Sequence, residues 1–180
     1  MIICYMGGSC GDLLTAIVDP KDAVIDANDR VLLSSRRQKL KKPHEFKSTV
    51  EKDQYLKTIT KSYNSIPSHD IEYHIKKKHD FVGIIVEKID TALWAAERFK
   101  QIHSTEIWEG MQIATGGTKT IKEYAQMMLD YRHLVLQNTQ KTVTLERILE
   151  GTVIEQLQPF VTTLPGIDFY QSWLKAQKKL

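Results

Sequence analysis

The chain is poor in the features that would assign it to a specialised class. Cysteine occurs only twice in 180 residues, at Cys4 and Cys10. The two form no CxxC pair and stand with no histidines at zinc-site spacing, which argues against a disulfide framework or a zinc ribbon and points to a reducing compartment with no metal. No stretch approaches the ~20 apolar residues of a membrane span. The opening MIICYMGG has neither the basic leader nor the apolar length of a secretory signal. The cytoplasm is the expected location, or the host cytoplasm if the chain is viral.

Charge of one sign is also lacking: 25 basic residues face 22 acidic ones, a net of +3, which gives no bulk attraction for nucleic acid. What is present, 42% hydrophobic and 26% charged residues, is the composition of one globular domain spanning 1–180.

Ile2 to Met6 is a short apolar run that ends at Gly7 and Gly8, as a buried strand entering a tight turn does. Leu13, Leu14, Ile17 and Val18 then fall on one helical stripe until Pro20. Val31 to Leu33 predicts a short strand, and Val50, Tyr55, Ile59 and Tyr63 predict an amphipathic helix over 49–63. Residues 71–75, with Ile71, Tyr73 and Ile75 alternating, read as a half-exposed strand. FVGIIVE, residues 81–87, reads as a central strand buried on both faces. Asp90 is placed to cap a helix ending near His103. Thr120 and Glu123 have the spacing of a capping box for a helix that follows the GGT at 116–118. Helical pieces over 144–158, with a break at Gly151, and from Asp168 onward complete the chain. The order predicts a three-layer α/β fold with a mostly parallel central sheet and a helical C-terminal region.

The string GGSCGDLL, between a strand and a helix, suits an anion: glycines let the backbone approach it, and the first helical amides point towards it. Gly7, Gly8, Ser9, Cys10, Gly11 and Asp12 are therefore candidate ligand contacts, with a purely structural turn as the alternative. The spacing matches neither a Walker A loop nor the dinucleotide GxGxxG pattern. Glu87 at the end of the central strand and Asp90 beyond it are further candidates, because ligands bind at the carboxyl ends of parallel strands. The crowd of Arg36, Arg37, Lys39, Lys41 and Lys42 offers phosphate contacts or a protein-binding face. No aromatics interleave with it in sequence, so single-stranded nucleic acid is not indicated.

Three segments in order resemble the sulfotransferase family. ICYMGGSCGDLL resembles its 5′-phosphosulfate loop, PSHDIEYH its Thr-His-Leu-Pro segment, and VEKIDTALWAAERFK its Arg-Asn-Pro-x-Asp strand-to-helix motif, which binds the donor's 3′-phosphate. The ending, ILEGTVIEQL and DFYQSWLKAQ, resembles short sulfotransferase-like proteins of phages. The resemblance implies a P-loop-like fold, 3′-phosphoadenosine 5′-phosphosulfate as donor, and sulfuryl transfer to a hydroxyl or amine. It makes Ser9 a phosphosulfate contact, His69 the general base, and Asp90 the helix-start acid. The loop has no lysine, and Glu87 and Trp94 stand where the family has arginine and serine. The alternative function is accordingly a catalytically inactive interaction module, such as a phage protein that binds a host factor or acts in virion assembly.

Overall fold

The computed structural model describes residues 1–41, 45–102 and 120–177. Strand β1 (Ile2–Cys4) leads through the glycine turn into helix α1 (Gly11–Val18). A hairpin of β2 (Val24–Ile25) and β3 (Val31–Leu32) follows, then α2 (Ser35–Lys39) and α3 (Thr49–Ile59). Next come β4 (Ile66–Ser68), α4 (Ile71–Lys76), β5 (Phe81–Ile85) and α5 (Ile89–Ile102). The chain continues with α6 (Ile121–Asn138), β6 (Thr142–Thr144), α7 (Leu145–Glu150), α8 (Val153–Leu157) and α9 (Ile167–Gln177). Lys42, Pro43, the GGT at 116–118 and the end near His103 lie outside the described residues.

Four strands form one all-parallel sheet in the order β4-β1-β5-β6. Ile3, Val82, Ile84 and Val143 pack on the side of α1 and the C-terminal helices, with Leu14, Ile17, Leu145, Ile148 and Trp173. Ile2, Cys4, Phe81 and Ile85 pack on the other side, against Leu56 and Ile59 of α3 and Val135 of α6. The predicted α/β architecture is thus present, and β5 is buried along its whole length. Its Gly83 has a packing reason, since a β-carbon there would lie 2.3 Å from a Val135 methyl group.

The capping box at Thr120 is present in both directions, at 2.6 and 3.2 Å, and Gly151 ends α7 in the left-handed conformation at φ 88°. Two readings are corrected. Residues 71–75 are helix, because Asp70 accepts the Tyr73 amide at 3.1 Å as an N-cap and Ile71 and His74, three apart, are the buried pair. The strand lies just upstream, at Ile66–Ser68, where Pro67 is tolerated because β4 is a sheet edge. Asp90 does not precede α5 but sits exposed within its first turn.

Arg37 fixes the layer of α1 to the edge of the sheet. It is 0% exposed and donates to the carbonyls of Asp19 at 3.0 Å, Lys21 at 2.8 Å, Thr15 at 3.4 Å and Ser65 at 2.9 Å, and to Ser65 Oγ at 3.0 Å. The Thr15 and Asp19 carbonyls belong to the last turn and end of α1, where the helix dipole favours a cation. The Tyr63 ring lies 4.8 Å from the guanidinium carbon.

A second buried polar group lies under β4. His74, 1% exposed, places Nε2 2.9 Å from Ser68 Oγ and Nδ1 3.0 Å from His79 Nδ1. The two imidazoles share one hydrogen, so protonating both sets two N–H groups against each other. Burial, then His79 and Lys52, push the His74 pKa down to about 3, with Asp70 opposing. Burial also lowers that of His79, opposed by Asp53 and assisted by Lys77.

Two predictions follow from these groups. Arg37→Met lowers the unfolding free energy in urea by roughly 3 kcal/mol, because it orphans several buried carbonyls, whereas Arg36→Ala changes it by less than about 0.5 kcal/mol. For the imidazoles, the unfolded chain takes up protons near pH ~6.5 while folded His74 resists until far lower pH. Stability is therefore full above that value and falls as the solution is acidified towards about pH 3. The His74 share of the loss is about 1 kcal/mol between pH ~6.5 and ~5.5. Urea melts across that window check it, and His74→Asn flattens the slope.

Candidate functional site

The chain runs from β1 to β4 on one side and later from β5 to β6 on the other. The carboxyl ends of β1 and β5 therefore flank a topological switch point, where open α/β sheets bind ligands. Four segments meet this edge: the glycine turn after β1, His69 and Asp70 after β4, Glu87 and Lys88 after β5, and Glu146 after β6.

In the glycine turn, Gly8 has φ 87° and Cys10 has φ 58°, both left-handed. A β-carbon on Gly8 would lie 2.5 Å from the Ala95 carbonyl oxygen, and one on Gly11 would lie 2.2 Å from the Tyr5 ring. Gly7 packs against Phe99, and its carbonyl accepts the Tyr124 hydroxyl at 3.2 Å. These glycines thus let α5 and Tyr5 close on the turn. Ser9 is 1% exposed and donates its hydroxyl to the Met6 carbonyl at 2.5 Å, so its hydrogen is committed inside the turn. Burial pushes the Cys10 thiol pKa up to about 12, with Arg98 pulling the other way, which keeps it protonated and unreactive.

No side chain caps α1. The first helical amide taken by the backbone is that of Leu14, to the Cys10 carbonyl at 3.0 Å. Among the described residues, those of Gly11, Asp12 and Leu13 have no acceptor. By contrast, Ser48, Asp70, Thr120 and Thr144 cap α3, α4, α6 and α7 with their own oxygens.

Asp12 is held on both sides. Its Oδ1 accepts the Tyr5 hydroxyl at 2.6 Å and its Oδ2 meets Lys41 Nζ at 2.7 Å. Burial, with Asp12 next, raises the Tyr5 pKa well above the usual phenol range, so Tyr5 remains the donor. The ammonium of Lys41 balances the carboxylate that would otherwise repel an anion at the start of α1. His69 is exposed, and its ring lies 4.5 Å from that of Tyr5. The histidine, the tyrosine, the acid and the lysine are therefore contiguous beside the turn.

The two sequence-predicted arginines do not join them. Arg37 is the buried link described above, and Arg36 is exposed on α2 with its carbonyl accepting the Tyr55 hydroxyl at 2.8 Å. Among the described residues of the basic crowd it is Lys41 that reaches the turn.

At the β5 end, Glu87 and Asp90 are exposed. The amides of Glu87 and Lys88 both donate to Glu146 Oε1, at 3.0 Å each. Glu146 is 7% exposed, and its Oε2 has no hydrogen-bond partner among the described residues. An internal carboxylate thus occupies the pair of amides at the start of α5, where the family resemblance implies a 3′-phosphate. Sequence reading missed Glu146 and Tyr5, since partners 7 positions from Asp12 and 58 from Lys88 leave no local pattern, and it offered Lys41 only as one of five basic residues, 29 positions from the acid it meets. Among the described residues no cluster of acids, histidines and cysteines is arranged to hold a metal ion, and no helix is long and apolar enough to cross a membrane.

No family model, curated protein or solved structure matches the chain.

Proposed function

We propose that the chain is a sulfotransferase-like domain that binds a phosphate- or sulfate-bearing small molecule at the glycine turn and transfers the sulfuryl group to a hydroxyl or amine. The observation that carries this reading is the uncapped start of α1 at the switch point, next to an acid already neutralised by Lys41 and Tyr5. An anionic group there would be met by the amides of Gly11 to Leu13 and by the positive end of the helix.

Lys41 supplies the cation that the loop sequence lacks. Delivered from beyond α2, it stands where charge on a departing phosphate would be offset. His69, exposed and braced by Tyr5, takes the proton of the attacking hydroxyl or amine. The acceptor's oxygen or nitrogen forms a bond to sulfur as the sulfur–oxygen bond to the departing phosphate breaks, and no metal is needed. A donor such as 3′-phosphoadenosine 5′-phosphosulfate fits this turn through its 5′ group. Its 3′-phosphate does not fit the Glu87 and Lys88 amides, which Glu146 holds, so recognition rests on the 5′ group.

A second reading has a specific observation behind it. Glu146 filling one amide pair, together with Phe99 and Ala95 closing on Gly7 and Gly8, suits a domain that has exchanged a donor site for internal contacts and works as a protein-binding module.

Calorimetry with 3′-phosphoadenosine 5′-phosphate, adenosine 5′-phosphate and ATP separates the two. Expected is binding of adenosine 5′-phosphate within roughly threefold of its 3′-phosphorylated form, weakened about tenfold or more by Lys41→Ala. His69→Ala should keep that binding and lose transfer. Absence of binding by all three at millimolar concentration would overturn the transferase reading in favour of the module. Gly8→Val is a poor probe, because strain at positive φ and the Ala95 carbonyl would disturb the fold itself.

A further inference from the structure

A cavity of about 450 Å³ opens between α3 and α4, lined among others by Phe46, Thr49, Lys52, Tyr73 and Lys76. It lies on the sheet face opposite the glycine turn: Phe46 and Tyr73 pack with Cys4 on the α3 side, whereas Tyr5 belongs to the α1 side. Nothing in the proposed transfer uses it.

The base of this cavity is cationic. Lys52 is 4% exposed, and its ammonium meets Asp70 at 2.5 Å and lies 4.0 Å from the centre of the Tyr73 ring and 5.9 Å from that of Phe46. An ammonium has three hydrogens to donate. Asp70 takes one and the face of Tyr73 another, which leaves one for a guest. Among the described residues the Lys52 charge is met by two rings and the Asp70 carboxylate, an environment in which a further anion gains more than it would in water.

The rim adds one more ammonium. Lys77 is tied to Asp53 at 2.5 Å, while Lys76 has no ion-pair partner among the described residues. Lys52, Lys76 and Lys77 line the cavity together with Asp70 and Glu72, and with Asp53 taken up by Lys77 the donors left to a guest are the Lys76 ammonium and the remaining N–H of Lys52. The Thr49 hydroxyl makes no hydrogen bond among the described residues and stands at the start of α3. Phe46, braced by Tyr55 with ring centres 5.6 Å apart, forms an apolar wall.

From this combination we infer that the cavity binds a small aromatic anion: an oxyanion head, phosphate or carboxylate, on Lys52, Lys76 and Thr49, and a ring against Phe46. The volume lies in the range of ordinary small-molecule sites. The site is independent of the glycine turn and of the reading placed on it.

Calorimetric titration with phenyl phosphate, benzoate, inorganic phosphate and phenol tests the inference. At least one of the ring-bearing anions should bind roughly tenfold more tightly than either inorganic phosphate or phenol, and which one does identifies the head group. Lys76→Glu, an exposed change that leaves the fold intact, and Lys52→Met should each weaken that binding about fivefold or more. Lys41→Ala should leave it unchanged. The inference is overturned if neither aromatic anion outcompetes inorganic phosphate, or if Lys76→Glu binds as the parent does. Loss of binding with Lys41→Ala would overturn it as well, by placing the probe at the glycine turn.

Discussion

The burial of one guanidinium decides how this molecule holds together. Five polar contacts from Arg37 join the end of α1, the segment after it, and Ser65 at the entry to β4. The Asp19, Lys21 and Ser65 carbonyls among them lie beyond the helix end or before the strand, where no ladder or helix satisfies them. A single side chain with donors spread in a plane can serve them all, which a lysine cannot do. The placement of α1 over the sheet, and hence the position of its N-terminal turn, follows from that anchorage.

At the carboxyl edge, charge is arranged by pairs. Asp12 is compensated by Lys41, Asp70 by Lys52, and Glu146 by two amides. The edge thus presents a helix start with open amides and no uncompensated acid immediately beside it. The same edge is enclosed by α5, whose Ala95 and Phe99 approach the glycines at distances that no larger residue allows. The small residues of the turn therefore serve the close packing of α5 and Tyr5 against it.

Sequence reading recovered what depends on neighbours in the chain. The turn and α1, the central strand, the capping box at Thr120 and the break at Gly151 all rest on patterns a few residues long. It failed where distant parts decide. Ile71, Tyr73 and Ile75 alternate as a strand would, yet Asp70 caps a helix there and His74 finds Ser68 and His79. Arg36 and Arg37 are indistinguishable as letters, but one is exposed and the other fully buried. Lys39 illustrates the same point: aromatics are absent from its own segment, but Phe46 and Tyr55 both lie 5.0 Å from its ammonium after folding. Of the candidate site, the glycine turn, His69 and the basic segment that supplies Lys41 were legible, and Tyr5 and Glu146 were not.

Gly166 lies so close to α1 that a β-carbon on it would fall 2.1 Å from the Ala16 carbonyl oxygen, and its amide donates to the Ile17 carbonyl at 3.0 Å. Almost the whole chain separates these two positions, so during translation the first helix has no covering for its outer flank until a segment made very late arrives. Until then the flank at Ala16 and Ile17 faces water or a chaperone. The architecture accordingly closes like a clasp, and the order of synthesis sets a lower bound on when the helix that carries the proposed anion site becomes fully seated.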